Sequence, residues 1–278
     1  MTIIVADTTS GLSCGLLRER GVPLIPQIVT FGDVSFRDDY ELDTAAFLRK
    51  LKASSALPKT SAPGPSLYYP IYRKAQENGE SVVVVAPSSK VSGTFRSAQI
   101  AAQDFSQVDI RVVDTLTIAG NLASLVLMAD QWAKNGEDAG TIVHRLIDMI
   151  PWGRIYFMVD TLEYLQKGGR IGGARALVGE LLQVKPILTI REGRVEPFEQ
   201  QRTKKRALAR LIEIVKEQCL KTDQAYLCVM QADALDEARE LAFRLQSEMG
   251  CAEIPIYELP PAIVVHAGPG ALAVGFFI

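Results

Sequence analysis

The chain has 278 residues, and its 30 lysine and arginine residues nearly balance its 32 aspartate and glutamate residues. Without an excess of either charge, the sequence argues against nucleic acid or an anionic membrane as the main partner. The four cysteines show neither paired spacing nor a nearby histidine, so we expect no disulfide framework, no metal site and a cytoplasmic protein. The length predicts two domains or one large domain.

In the first half of the chain, apolar β-branched runs alternate with helical stretches. The predicted strands are residues 3–6, 22–29, 81–86 and 110–113. The predicted helices are residues 44–52, 67–78, 94–102 and 122–134. This alternation predicts an α/β domain with a mainly parallel sheet flanked by helices, where ligands gather at the carboxyl ends of the strands.

Two hydroxyl-rich turns in this half are candidate binding elements. Residues 59–66 form a loop stiffened by two prolines and a glycine, and Thr60 lies in it. Residues 81–98 read as a strand, a polar loop and a helix, with Ser92 at the predicted cap and Gly93 beside it. The free N–H groups of a helix start favour a carboxylate or phosphate. Taken one at a time, an ordinary loop and a simple cap explain these residues better.

The second half predicts an α+β domain with a mixed or antiparallel sheet. An amphipathic helix over residues 137–150 ends at Pro151, so we place the domain boundary between residues 1–152 and 153–278. A hairpin of strands 187–191 and 194–198 is predicted at Glu192-Gly193, a turn pair. The other predicted strands are 154–159, 225–231, 254–259 and 271–277, and the predicted helices are 161–166, 174–183, 204–219 and 235–249.

Three further features of this half carry candidate ligand contacts. Lys167 and Arg170 lie among four glycines, which suits a phosphate-bearing ligand or partner beyond what a helix cap requires. Arg202 precedes a helix that opens with positive charge; a solvated face and a site for a negatively charged partner both explain it. His266 is predicted between a strand at 263–265 and a Gly-Pro-Gly turn, as a ligand contact or a structural histidine.

Taken in order, these segments resemble the DegV family over essentially the whole chain. The matching residues are Asp7-Thr-Thr-Ser10, Thr60-Ser61 with Pro63, Ser88-Ser-Lys-Val-Ser-Gly-Thr94 with Ser97-Ala98, Val113-Asp114, Thr161-Leu-Glu-Tyr-Leu-Gln-Lys-Gly-Gly-Arg-Ile171, Lys185-Pro-Ile187, Arg202-Thr and His266-Ala-Gly-Pro-Gly270. The sequence departs from the usual family pattern at Ala62, Gly64 and Asn121. The Ser-Gly-Thr and Lys-Gly-Gly-Arg-Ile segments are the specific ones.

The resemblance implies a cytoplasmic bacterial lipid carrier that serves phospholipid synthesis. It implies a long-chain fatty acid as the ligand, no other cofactor, and a separate fatty-acid kinase that supplies ATP and the chemistry. The carboxylate-binding residues implied by the family motifs and their neighbours are Thr60, Ser92, Gly93, Thr94 and His266. Those implied for phosphoryl transfer or partner contact are Lys167, Arg170 and Arg202. No catalytic residue, nucleic-acid partner or membrane span is expected, and membrane contact would be transient.

Two other function classes compete with the carrier hypothesis. A serine esterase or acyltransferase would use Ser92 as nucleophile and His266 as base, but Ser92 lies in no Gly-x-Ser-x-Gly elbow and no acid to orient the histidine is identifiable. A nucleotide or sugar-phosphate binder would use the Gly-rich loop at 168–173. That loop follows a predicted helix and lacks the spacing of known phosphate-binding motifs.

Overall fold

The computed structural model describes residues 1–178, 184–251 and 253–278. The strands of this described part are β1 (Thr2–Asp7), β2 (Leu24–Ile25), β3 (Ile28–Phe31), β4 (Val34–Arg37), β5 (Lys59–Ser61), β6 (Ser81–Ala86), β7 (Ile110–Asp114), β8 (Gly153–Met158), β9 (Lys185–Arg191), β10 (Arg194–Gln201), β11 (Cys228–Gln231), β12 (Ile256–Glu258) and β13 (Leu272–Phe277). The helices are α1 (Cys14–Arg20), α2 (Thr44–Ala53), α3 (Tyr69–Asn78), α4 (Thr94–Gln103), α5 (Ala119–Lys134), α6 (Ala139–Met149), α7 (Glu163–Lys167), α8 (Lys204–Gln218), α9 (Leu235–Met249) and α10 (Pro261–Ala267).

A four-stranded parallel sheet with the order β2-β1-β6-β7 forms the first layer, and it confirms the predicted α/β architecture. The central strand β6 reads Ser-Val-Val-Val-Val-Ala and is buried on both faces. Val83 and Val85 pack in one core cluster with α5 and α6, whereas Val82 and Val84 pack in another with α3 and α4. Such a continuous apolar run is typical of a parallel strand covered on both sides.

A six-stranded sheet with the order β10-β9-β8-β13-β11-β12 follows, with strands between Gly153 and Phe277. Its pairs are antiparallel apart from β11 with β12. The hairpin predicted at Glu192-Gly193 is confirmed, with φ angles of 50° and 79° that a tight β-turn of this kind requires. Helices α8 and α9 cover one face of this sheet, and the other face points towards the first half of the chain.

A third, three-stranded antiparallel sheet has the order β4-β3-β5 and was not predicted. The single strand predicted over residues 22–29 is wrong, because two strands lie there. Pro26 separates β2, which joins the parallel sheet, from β3, which joins the small sheet. Proline cannot donate a backbone hydrogen bond to a sheet, so the run divides there.

The strand predicted at residues 263–265 is also wrong, because these residues lie in α10. Pro260 and Pro261 stand at the start of that helix, and proline is favourable in its first turn. Burial of Val264 and Val265 in the core between the sheets then outweighs their preference for strands.

The helix predicted over residues 174–183 differs as well. Gly172–Leu177 forms a 3-10 turn, and residues 179–183 lie outside the described residues. Gly172 has a φ of 51°, and a Cβ there would stand 2.1 Å from a backbone oxygen of β10. This close approach to β10 fixes the turn where the sequence pattern indicated a longer helix.

Candidate functional site

An apolar cavity of about 120 Å³ lies between the loops of the first half and the open face of the six-stranded sheet. Its polar lining residues are Thr9, Gln27, Thr60, Ser92, Arg170 and His266. Apolar side chains that include Ile118, Ile155, Phe157, Leu165, Ile190, Val195, Met230, Leu259 and Ile263 form most of the remaining wall. The cavity therefore combines a small set of hydrogen-bonding groups with a long apolar wall, as sites for amphiphilic ligands do.

Thr60 and His266 meet although 206 residues separate them in sequence. Strand β5 holds Thr60 opposite Val29, and α10 brings the His266 ring across it, with Nε2 2.8 Å from Thr60 Oγ1. Burial, helped by the positive charge of Arg170, lowers the pKa of His266 from 6.5 to about 4. The ring is therefore neutral near pH 7 and has one protonated nitrogen.

The surroundings of the ring favour a proton on Nε2 over one on Nδ1. His266 Nδ1 is buried and has no hydrogen-bond partner among the described residues. It lies against Gly168, because a Cβ there would stand 2.1 Å from it, and the Gly168 carbonyl accepts a 2.8 Å hydrogen bond from Arg170 Nη1. The nearby guanidinium favours a lone pair at Nδ1. With the proton on Nε2, the ring donates to Thr60 Oγ1, and the hydroxyl proton of Thr60 is free for a ligand.

Ser92 lies just before α4, and the structure corrects its predicted place, because Gly93 is the N-cap. Ser92 Oγ accepts a hydrogen bond from Thr94 N at 3.3 Å and lies 2.8 Å from Thr94 Oγ1. Thr94 is 1% exposed and stands behind Ser92, outside the cavity lining. Gly93 lines the cavity against Ala62, 3.1 Å from where its Cβ would be, so the two hydroxyl-rich turns are in contact.

The predicted cations separate into two groups. Arg170 lines the cavity and donates to backbone carbonyls at 3.1 and 2.8 Å. Lys167 is exposed and pairs with Glu163, and Arg202 is exposed just before Thr203, the N-cap of α8. Thus the structure brings Arg170 to Thr60, Ser92, Gly93 and His266 and leaves Lys167 and Arg202 outside the lining.

The three departures from the family pattern lie in different places. Ala62 lines the cavity, and Gly64 precedes the 3-10 turn Pro65–Leu67 as its N-cap. Asn121 is 1% exposed and donates to the backbone oxygens of Arg154 and Phe276, so it connects α5 to the six-stranded sheet. Asn121 is absent from the cavity lining, whereas Ala62 stands beside the polar group.

Sequence reasoning missed Thr9 and Gln27. Both line the cavity, and both bind the carboxyl of Asp7, at the end of β1. For Thr9 the signal was its position just after β1, since polar groups at the carboxyl ends of parallel strands meet at one edge of the sheet. Gln27, in contrast, follows a Pro-rich stretch without any motif and gave no such signal.

The arrangement does not form a serine-hydrolase triad. Ser92 is hydrogen-bonded to Thr94, and His266 to Thr60, so the described residues contain no hydrogen bond between Ser92 and His266. Nδ1 of His266 also has no carboxylate to orient it within the described part of the chain. The geometry supplies hydrogen-bond donors to an acceptor head group and offers no activated nucleophile.

Other site classes are equally unsupported by the described residues. They contain no group of three or more His, Cys, Asp or Glu side chains able to hold a metal ion. All four cysteines are free thiols. In residues 1–178, 184–251 and 253–278, every helix is too short or too polar to cross a bilayer.

Comparison with known proteins gives one consistent result. A model of the DegV family, described as uncharacterised proteins, matches residues 1–278. A DegV domain-containing protein of Halalkalibacterium halodurans is 33% identical over 276 residues, covering 99% of this chain and 98% of the relative. A fatty-acid-binding DegV family protein from Thermus thermophilus has a TM-score of 0.88 at 30% identity, with 99% of both chains covered. DegV of Bacillus subtilis, a fatty-acid-binding protein, has a TM-score of 0.88 at 31% identity, covering 100% of this chain and 99% of that one.

Proposed function

The chain belongs to the DegV family, and from this membership we propose that it binds a long-chain fatty acid in the cavity between its sheets. The observation that carries the proposal is the pairing of Thr60 and Ser92 hydroxyls with an apolar wall in one cavity. Solved relatives at 30% and 31% identity bind fatty acids. We further propose that residues 1–152 supply the hydroxyls and residues 153–278 supply most of the acyl-chain wall.

The energetics favour this ligand. Burying each methylene contributes about 0.8 kcal/mol, so a sixteen-carbon chain gains on the order of 10 kcal/mol before the costs of association. A carboxylate buried without partners would cancel much of that gain. In the proposed complex Thr60 and Ser92 donate to the carboxylate, and Gly93 permits its approach to the start of α4. Neutral His266 donates from Nε2 to Thr60 Oγ1, which leaves the Thr60 hydroxyl proton for the carboxylate.

Native mass spectrometry of the purified protein, followed by organic extraction, tests the proposal directly. We expect one fatty acid per chain, and an empty protein that also takes up no added fatty acid would refute it. Thr60→Ala with Ser92→Ala should weaken binding without unfolding. The matched control is Thr30→Ala with Ser35→Ala, because those hydroxyls form an exposed 2.9 Å pair outside the cavity lining. Wild-type affinity in the cavity double variant would refute the head-group assignment.

We also propose that a separate kinase phosphorylates the bound carboxylate with ATP. Arg170 would lie beside the reacting carboxylate, whereas exposed Arg202 and Lys167 would contact the partner. Because the partner would use ATP, the proposed setting is the cytoplasm of a bacterium, where the acyl phosphate would enter phospholipid synthesis.

This second proposal needs a reconstituted assay that measures ATP-dependent acyl-phosphate formation with a candidate kinase. Arg202→Ala should impair turnover and leave fatty-acid affinity unchanged. Arg239→Ala is the control, because Arg239 is an exposed arginine on α9. Unimpaired turnover in Arg202→Ala would refute its role at the partner surface.

A further inference from the structure

A buried polar chain that the proposed function does not use stands behind Ser92. Asp7 Oδ2 accepts a 2.6 Å hydrogen bond from Gln27 Nε2, and the same nitrogen donates to Thr94 Oγ1 at 2.8 Å. Thr94 Oγ1 is in turn 2.8 Å from Ser92 Oγ. Asp7, Gln27 and Thr94 are 2%, 3% and 1% exposed, so water does not substitute for these bonds.

The direction of each hydrogen bond follows from the number of protons available. Every neighbour that binds the Asp7 carboxyl donates to it, namely the Thr9 N–H, the Thr9 hydroxyl and the Gln27 amide. An ionised carboxylate only accepts, so it turns the NH₂ group of Gln27 towards itself and away from the alternative amide orientation. The second proton of that NH₂ group then goes to Thr94.

The hydroxyl protons of Thr94 and Ser92 connect this chain to the cavity. Thr94 Oγ1 accepts from Gln27, and Ser92 Oγ is the one acceptor for its buried proton among the described residues, so we assign that proton to the contact with Ser92. Ser92 Oγ also accepts from Thr94 N, which uses both of its acceptor positions. With the Thr94 proton in this contact, the hydroxyl proton of Ser92 is left for a ligand, and Ser92 lines the cavity.

From this geometry we infer that Asp7 is a positioning residue, which acts through Gln27 and Thr94 to hold Ser92 as a donor and so selects a carboxylate over an alcohol head group. The inference rests on the proposed fatty-acid function. A carboxylate accepts a charge-assisted hydrogen bond from the Ser92 hydroxyl. A primary alcohol is neutral and can both donate and accept, so a fixed donor at Ser92 adds less to its binding energy.

Acidification should reverse the chain. Burial raises the pKa of Asp7 from 3.8 to about 7, and the groups that face it are Asp38, whose own pKa is raised to about 6, and Tyr68, whose hydroxyl is buried without a partner among the described residues. A protonated Asp7 needs an acceptor, and the carbonyl oxygen of Gln27 becomes one when the amide turns over. Thr94 then donates to Gln27, Ser92 donates to Thr94, and the cavity loses its donor.

The test compares a fluorescent sixteen-carbon acid with the matching primary alcohol, using wild type and Asp7→Asn. At about pH 8 we expect wild type to prefer the acid and Asp7→Asn to lower the acid-to-alcohol affinity ratio by about tenfold. At about pH 6, the acid-to-alcohol affinity ratio of wild type should fall towards that of Asp7→Asn. The ligand's own titration also changes the ratio, and Asp7→Asn measures that contribution because it lacks the Asp7 carboxyl. Circular dichroism checks that the variants are folded.

A second pair of variants keeps the test decisive if Asp7→Asn does not fold. Thr94→Val breaks the chain and should lower the ratio about tenfold, whereas Thr94→Ser keeps a hydroxyl and should restore it. Unchanged ratios in both Asp7→Asn and Thr94→Val, with wild type still binding the acid, would overturn the inference alone. A wild-type protein that takes up neither ligand would overturn the proposed function and this inference with it.

Discussion

Replacing Asp7 with asparagine tests whether the buried carboxyl lowers the stability of the folded protein when it ionises. Burial raises its pKa from 3.8 to about 7, although hydrogen bonds from Thr9 and Gln27 act in the opposite direction. Because the folded pKa is the higher one, the folded state binds the proton more tightly than the unfolded state. The stabilising effect of this group is complete below about pH 4 and is lost as the pH rises through about 7.

The two pKa values set the size of the effect. Between about pH 5.5 and pH 8 the unfolded carboxyl is ionised throughout, whereas the folded one changes from protonated to mostly ionised. At about 1.36 kcal/mol per pKa unit, wild type should lose about 2 kcal/mol of unfolding free energy from this group over that range. Asp7→Asn lacks the titrating group and should not lose it. Its altered hydrogen bonds are present at both pH values and largely cancel in the difference.

Urea unfolding of both proteins at the two pH values measures this difference. The control is Asp236→Asn, because the Asp236 side chain on α9 is 98% exposed. Relative to wild type, its unfolding free energy should change by less than about 0.5 kcal/mol with pH. An identical pH dependence in wild type and Asp7→Asn would show that Asp7 is not a strained buried acid and would refute the reasoning.

Three further predictions concern positions at or near the site. Gly168→Ala should weaken fatty-acid binding about tenfold in a fluorescence titration while the protein stays folded, because its Cβ would stand 2.1 Å from His266 Nδ1 and displace the ring; unchanged affinity would contradict this. Gly193→Ala should cost about 3 kcal/mol in urea unfolding, since its φ is 79° and its Cβ would stand 2.3 Å from Ser88 Oγ across the two halves of the chain. Gly79→Ala, with a φ of 66° and open space, should cost only about 1 kcal/mol, and equal losses would argue against that contact. NMR titration should find His266 neutral down to about pH 5, because its folded pKa is about 4, and a midpoint near 6.5 would contradict its burial.

Local pattern predicted three of the four strands of the parallel sheet, whereas β2 was predicted as part of a longer strand. Strand β6 is a continuous apolar run, and the buried apolar residues of helices α5 and α6 recur at helical spacing, so each element is visible in its own sequence. The Glu192-Gly193 turn was equally readable, because few residue pairs accept two consecutive positive φ angles. These features depend on neighbours within a few residues, and a single sequence contains that information.

Features that depend on distant packing were not readable in this way. The β-branched run at residues 263–265 has a preference for strands, and only its burial between two sheets makes it helical. The contact of Thr60 with His266 joins the three-stranded sheet to α10, and hydrophobic periodicity does not predict contacts between residues so far apart in sequence. Family resemblance grouped these residues in the sequence analysis. Gln27, for which neither motif nor resemblance gave a signal, was missed.

The cost of Asp7 and its proposed role arise from the same atoms. An asparagine could accept from Thr9 at this position without a buried charge, so the fold alone does not require a carboxylate there. An ionised carboxylate accepts hydrogen bonds on both oxygens and therefore fixes the Gln27 amide in one orientation. Through Thr94, this orientation gives the cavity a donor at Ser92. Asp7→Asn should therefore be less sensitive to alkaline pH in its stability and, at about pH 8, less selective for the acid. The substitution would then reduce the loss of stability at alkaline pH and also reduce selectivity for the acid. If Asp7 had a purely structural role, its replacement would reduce stability and binding together, so these two effects separate a positioning role from a structural one.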